Sequence, residues 1–268
     1  MPRARSRRSR STSATARRNR AFWEATAPQY EATHRRAISG ERAASWGMWR
    51  IPESKLHLLG NVRGRRILEL GCGGGHWAVA LTRQGATVTG LDFSLSRLTQ
   101  ARSTARGSGV SVALVEANAE RLPFRSESFD LVFCDWGAMT FADPHRTVPE
   151  AARVLRPGGR FAFSNSSPFR TVCQGRTTDR LGRRLLYDYF GLHRVDFPEE
   201  TDYQLTYGDW IDAFGSAGLL VERLIETRPP ARGRSSYLSR SEAAWARRWP
   251  IEVIWQLRKA GPSLEPPA

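Results

Sequence analysis

The segment Gly71-Cys72-Gly73-Gly74-Gly75 follows a short apolar run and opens a helical pattern. A turn without side chains lets backbone N–H groups approach an anionic or polar ligand closely. Asp92 lies at the tip of the next apolar run, about 20 residues on, where a carboxylate accepts hydrogen bonds from both ribose hydroxyls of an adenosine. The dinucleotide fingerprint needs a third glycine where this chain has His76, which argues against a nicotinamide cofactor. His76 itself is read as either a surface histidine or the partner of a carboxylate. His34, His57, His145 and His193 have no ligand spacing, so no metal is expected. Cys72, Cys134 and Cys173 form no C-x-x-C pair, and the side chains of Cys72 and Cys134 read as small packing groups in a reducing compartment.

These residues need elements to position them. Residues 66–70 read as a strand, 77–81 as a helix, 86–91 as a strand and 94–106 as a helix. Strands 110–116 and 129–134, helix 144–155 and strand 159–164 follow, then helix 207–218 and strands 219–226 and 251–258. Alternating elements of these lengths make an α/β chain with a parallel sheet covered by helices on both faces. The expected divisions are a disordered Arg/Ser-rich tail over 1–20, a helical cap over 21–60, a core over 61–167, a substrate-side insertion over 168–206, and a C-terminal helix and strands over 207–268 that complete the sheet.

The 268 residues carry 41 Lys and Arg against 26 Asp and Glu, a net charge of +15. Eight of those bases are arginines within residues 1–20, which contain no acid, and the remainder is only +7. A tail with so little apolar surface cannot offset its ordering entropy, hence the expected disorder. Since only Lys55 and Lys259 are lysines, the bias reads as compositional, and nucleic acid is not the expected partner. There is no run of about 18 apolar residues and no apolar stretch behind the N-terminal arginines, so neither a membrane span nor a secretory signal is expected, and the chain is read as cytoplasmic.

The residues Glu69-Leu70-Gly71-Cys72-Gly73-Gly74-Gly75 resemble the E-x-G-x-G-x-G motif of class I S-adenosylmethionine (SAM)-dependent methyltransferases. Leu91-Asp92-Phe93-Ser94 resembles that family's second motif, and Asn118-Ala119-Glu120-Arg121-Leu122-Pro123-Phe124 with Ser128-Phe129-Asp130 its third. Val154-Leu155-Arg156-Pro157-Gly158-Gly159 resembles the turn before its fifth strand. The resemblance implies a Rossmann-like fold with a seven-stranded, mostly parallel sheet, SAM as cofactor, and methyl transfer to a small-molecule acceptor. It also implies a cofactor set of Tyr30, Glu69, Gly71, Cys72, Gly73, Asp92, Phe93, Asn118, Ala119 and Cys134. Within it, Glu69 and the loop hold the methionine portion, Asp92 the ribose, Phe93 the adenine face and Asn118 the adenine amino group. Asn118 departs from the family's usual Asp: its amide oxygen accepts a hydrogen bond without the charge.

Tyr30, Trp46 and Trp49 resemble the aromatic cap of small-molecule members, and Trp136 is either part of the transfer pocket or structural. Cys134-Asp135-Trp136-Gly137 has neither the Pro-Pro-aromatic segment of amine-directed nucleic-acid methyltransferases nor the Pro-Cys of the cytosine-C5 class. The catalytic residues stay open: His34, His193, Tyr30 and Asp135 are all candidate bases. The competing functions are an NAD-dependent oxidoreductase, an RNA-modifying or RNA-binding protein that uses the basic tail, and a non-catalytic SAM-binding regulator.

Overall fold

The computed structural model describes residues 13–38, 44–178, 180–231 and 233–261. Helix α1 (Ala14–Ile38) leads into a small hairpin, β1 (Ser45–Trp46) with β2 (Ile51–Pro52), and one turn, α2 (Glu53–Leu56). The core runs β3 (Arg66–Leu70), α3 (His76–Arg83), β4 (Thr87–Asp92), α4 (Leu95–Gly107), β5 (Ala113–Glu116) and β6 (Phe129–Asp135). It continues through α5 (Ala138–Phe141) and α6 (Pro144–Val154) to β7 (Leu155–Ser166). Beyond it lie α7 (Pro168–Cys173), the hairpin β8 (Arg194–Asp196) and β9 (Thr201–Tyr203), α8 (Tyr207–Ser216), β10 (Leu219–Glu226), α9 (Arg240–Trp245) and β11 (Glu252–Lys259).

Seven strands form one sheet in the order β10-β11-β7-β6-β3-β4-β5. Strands β7, β6, β3, β4 and β5 run parallel to one another, while β11 runs antiparallel to both β7 and β10. Both faces are apolar, as a sheet covered on two sides requires. Leu68, Val132, Phe163 and Trp255 pack on one face with Trp210 and Phe214 of α8. Ile67, Leu131, Phe133 and Ile254 pack on the other with Trp46 of the hairpin and with Trp77 and Leu81 of α3. The order reverses on either side of β3, and the crevice above the carboxyl ends of β3, β4 and β6 is where open α/β sheets bind ligands.

Local sequence explains the helix starts. Ser94, Asp143, Ser167, Thr206 and Ser239 each accept a backbone N–H from the first turn they precede. Pro144 and Pro168 follow their caps directly, where a missing N–H costs nothing.

The structure departs from the expected disorder over 1–20. Residues 1–12 lie outside the described residues, but α1 starts at Ala14 and is docked along its first turns. Asn19 is fully buried; it donates to Phe141 O (2.9 Å) and Thr201 O (2.7 Å) and accepts from Thr201 N (2.8 Å). Arg18 donates to Pro198 O at 2.8 Å, and Arg20 pairs with Glu116 at 2.6 Å. These partners are up to 182 residues away in sequence, so composition could not show that this segment is anchored. The stretch 168–206, where periodicity is poor and no regular element was expected, contains α7 and the β8/β9 hairpin. Helix α9 falls in a stretch where no helix was expected.

Asn19→Ala should destabilise the protein by about 2 to 3 kcal/mol, because it leaves buried backbone groups of Thr201 and Phe141 without partners. Urea denaturation checks this, and a change of less than about 0.5 kcal/mol would show that α1 is not anchored through Asn19.

Candidate functional site

Strand β3 delivers the glycine loop to the crevice, and the fold leaves no room for a side chain at Gly71 or Gly73. Gly71 has φ +71°, and a Cβ there would stand 2.6 Å from Ala138 N. At Gly73, with φ +50°, it would stand 2.5 Å from Nη2 of Arg97. The loop's N–H groups, however, serve the protein. Gly71 and Cys72 donate to Leu91 O at 2.7 and 2.9 Å, Gly73 donates to Asp92 Oδ2 at 2.9 Å, and Gly75 donates to Cys72 O at 2.9 Å. The loop therefore offers a ligand mainly close approach.

A cavity of about 1330 Å³, its open mouth included, lies above the loop, and Tyr30, Glu69, Gly71, Cys72, Gly73, Asp92, Phe93, Asn118 and Ala119 all line it. Cys134 does not. It is fully buried beneath the site and accepts the Met139 N–H at 3.4 Å, because strand alternation turns it toward the core on the helix-covered face. Burial pushes its thiol up to about 12 and raises Cys72 as well, so neither is a nucleophile.

Asp92 is 6% exposed, and its two oxygens accept the N–H groups of Ser94 and Gly73, both at 2.9 Å. Burial raises its pKa, and these two bonds and the charge of Arg97 oppose that rise. Each oxygen keeps lone-pair capacity toward the cavity. Glu69 is more deeply desolvated and lies in the fields of Asp135 and Asp92, so its pKa rises well above the carboxylate range; its Oε2 is buried without a partner. Asn118 lines the cavity, but its Oδ1 accepts the Glu120 N–H at 2.9 Å, an Asx turn within its own loop. The lining also includes residues that the sequence reading missed: Trp23 from α1, Met48 from the cap, Arg97 from α4, Phe141 from α5, and Tyr237 from the stretch after β10. Arg97 left a signal, a cation in a helix's first turn, whereas Tyr237 left none.

The far wall is built around a second pair of acids. Asp135 accepts from Gly47 N (2.8 Å), Ser164 Oγ (2.6 Å), Trp77 Nε1 (3.2 Å) and Arg50 Nη1 (3.2 Å). Glu252, at the start of β11, accepts from Met48 N (2.7 Å), Trp136 Nε1 (2.9 Å) and Thr227 Oγ1 (3.0 Å). Adjacent backbone N–H groups of the cap are thus held by two different carboxylates. Burial, with Asp135 adding to it, pushes Glu252 up to about 7.

Of the candidate bases, Tyr30 and Asp135 reach the cavity. Burial raises the Tyr30 phenol, and the oxygens of Asp135 are taken up by four donors. His34 stacks on Tyr237 with ring centroids 4.1 Å apart and bonds Ser236 Oγ at 2.9 Å; His193 pairs with Asp143 at 3.0 Å beside a separate cavity. His76 meets the carboxylate of Glu31 at 2.7 Å, immediately above Gly74. Among the described residues no cluster of His, Cys, Asp and Glu is suited to a metal ion. No helix there is long and apolar enough to cross a membrane.

Residues 68–163 match the profile of a family described as a methyltransferase domain. Over 106 residues the chain is 38% identical to a ubiquinone biosynthesis O-methyltransferase of Klebsiella pneumoniae, a stretch that is 39% of this chain and 44% of that one. The match thus spans less than half the length of this relative. An S-adenosylmethionine-dependent methyltransferase from Mesorhizobium loti superposes with a TM-score of 0.64 at 24% identity, over 76% of this chain and 95% of that one. The [4+2]-cyclase SpnF superposes with a TM-score of 0.64 at 17% identity, over 90% and 95%. These likenesses show the fold.

In the folded protein, burial holds Glu252 above the ordinary value near 4.3, so its proton is favoured in the native state. Its contribution to stability is present at acid pH and lost as pH rises from that value to about 7. Compared with Glu252→Gln, the parent should therefore lose up to about 3 kcal/mol between pH 5 and pH 8 in urea denaturation. An identical pH profile in both proteins would show that Glu252 does not titrate there.

Proposed function

We propose that this chain, whose residues 68–163 match a family described as a methyltransferase domain, transfers a methyl group from SAM to a small-molecule acceptor. The observation that carries this reading is the meeting, in one cavity, of a loop with no room for a Cβ at Gly71 and Gly73, a buried carboxylate with free lone pairs at the next strand tip, and the Phe93 and Ala119 surfaces beside it. The residues fit the cofactor: Asp92 suits a pair of ribose hydroxyls, Phe93 and Ala119 suit a flat base, and the loop suits the methionine chain. Asn118 would hold the adenine amino group only with lone-pair capacity left after its bond to Glu120 N.

When bound, SAM supplies an electrophilic methyl group on a sulfonium. What remains for the protein is to place a nucleophile in line and exclude water. Met48, Trp136, Phe141 and Tyr237 form the apolar part of the cavity left for the acceptor. Tyr237 stacks on His34, and Trp136 is fixed through its Nε1–H to Glu252, so both are held in place. Asp135, saturated by donors, braces Arg50 and the cap and is not a base. The reading therefore favours an acceptor whose nucleophile needs little help. A hydroxyl acceptor, as the name of the O-methyltransferase relative suggests, would enter already acidic, as a phenol does.

A small acceptor is favoured over nucleic acid because α1 and the stretch carrying Tyr237 cover the cavity, where a duplex base would have to be flipped deeply to reach it. A cytoplasmic location accords with three buried free thiols.

Calorimetry with S-adenosylhomocysteine tests the cofactor assignment. Asp92→Ala should weaken binding by about 2 to 3 kcal/mol with the fold intact, and unchanged affinity in a folded variant would sink it. Mass spectrometry of a panel of phenols, amines and thiols incubated with SAM tests turnover. Binding without transfer to any of them would favour the non-catalytic regulator.

A further inference from the structure

Arg97 is a cation in an unfavourable place. It is the third residue of α4, after the Ser94 cap, and so lies at the positive end of that helix's dipole. It is only 7% exposed. Buried charges are normally paired, yet among the described residues no carboxylate is within ion-pair distance of it. Asp92 directs its oxygens to the Gly73 and Ser94 N–H groups, and Glu31 pairs with His76. The guanidinium lies instead over two rings, with its central carbon 5.0 Å from the centroid of Tyr30 and 5.7 Å from that of Trp23. Nη1 is buried there without a hydrogen-bond partner, and Nη2 lies against Gly73 at the cavity wall. Stacking of this kind orients a guanidinium and leaves its in-plane N–H groups available.

The cavity otherwise presents acids: Glu69, Asp92 and Asp135 line it, and Arg50 is engaged by Asp135. A planar donor fork over a glycine loop suits a planar anion, and a carboxylate matches it in shape and charge. On the SAM reading, on which this inference rests, the ligand's anion is the α-carboxylate of its amino-acid portion.

We propose that Arg97 is the carboxylate-binding residue of the pocket. It selects ligands that carry the amino-acid portion over adenosine thioethers that lack it, and the aromatic pair Tyr30 and Trp23 holds the guanidinium ready for that group.

The test is isothermal titration of the full chain and of Arg97→Met and Arg97→Lys with two ligands, S-adenosylhomocysteine and 5′-methylthioadenosine, which lacks the amino-acid portion. Arg97→Met should lose about 10- to 100-fold in affinity for S-adenosylhomocysteine and stay within about twofold for methylthioadenosine, a neutral change on the same scale. Arg97→Lys should recover part of the loss. Equal S-adenosylhomocysteine affinity in the parent and Arg97→Met overturns the proposal. So does an equal loss for both ligands, which would mean that Arg97 serves the adenosine or only braces α1. A parent that binds neither ligand fails the SAM reading itself, a result distinct from either of these. If Arg97→Met does not fold by circular dichroism, the parent alone decides. It should bind decarboxylated S-adenosylhomocysteine at least about tenfold more weakly than the intact compound, and equal affinity overturns the proposal.

Discussion

Three carboxyl groups stand at the carboxyl ends of three adjacent parallel strands, Glu69 on β3, Asp92 on β4 and Asp135 on β6. Like charges buried side by side repel strongly in a medium of low dielectric, and the surroundings must offset that repulsion. Each acid is handled differently. Asp135 is saturated by four donors and paired with Arg50. Asp92 receives two backbone N–H groups. Glu69 is left so desolvated that its pKa is raised well above the ordinary value. The β1/β2 cap is held in place by this arrangement, since Gly47 and Arg50 dock on Asp135 while Met48 docks on Glu252. The pocket walls are therefore consequences of charge burial as much as of apolar packing.

Helix α1 joins regions that are otherwise separate. Its first turns grip the β8/β9 hairpin through Asn19. Glu24 accepts the Leu95 and Ser96 N–H groups at 2.6 and 3.1 Å, satisfying orphan donors at the start of α4. One turn or two further on, Tyr30 reaches the cavity and Glu31 meets His76. The β8/β9 hairpin, the start of α4 and the glycine loop are thus all held by this one helix.

The alternation of strands and helices was legible in the sequence because each core strand is a short apolar run bounded by turn residues, and observed bounds differ from expected ones mostly by one or two residues. Larger shifts have local causes. Strand β5 begins at Ala113 and not at 110, because only four of its residues pair with β4. Strand β7 starts earlier than expected, at Leu155, which pairs with Phe129 beside a register shift. Glycine loop and Asp92 were legible as a pair because their roles depend on local geometry. Tyr237, Glu252 and the anchoring of α1 depend on contacts that span much of the chain, and no local pattern encodes those. Cys134 illustrates a subtler failure: the strand was right, but one residue's difference in register decides whether a side chain faces core or cavity.

The position of β11 bears on how the protein is made. It is the last strand in sequence among the described residues, yet it lies between β7 and β10 and pairs with both, and its first residue, Glu252, holds Met48 and Trp136 at the pocket wall. During synthesis from the N-terminus, the parallel half of the sheet can assemble while β7 still has an open edge, and β10 has no partner until β11 emerges. An unpaired edge of this kind is a template for pairing with other chains. Translation that stalls after β10 would therefore leave a nascent chain with most of its core formed, a sticky strand edge and no finished pocket.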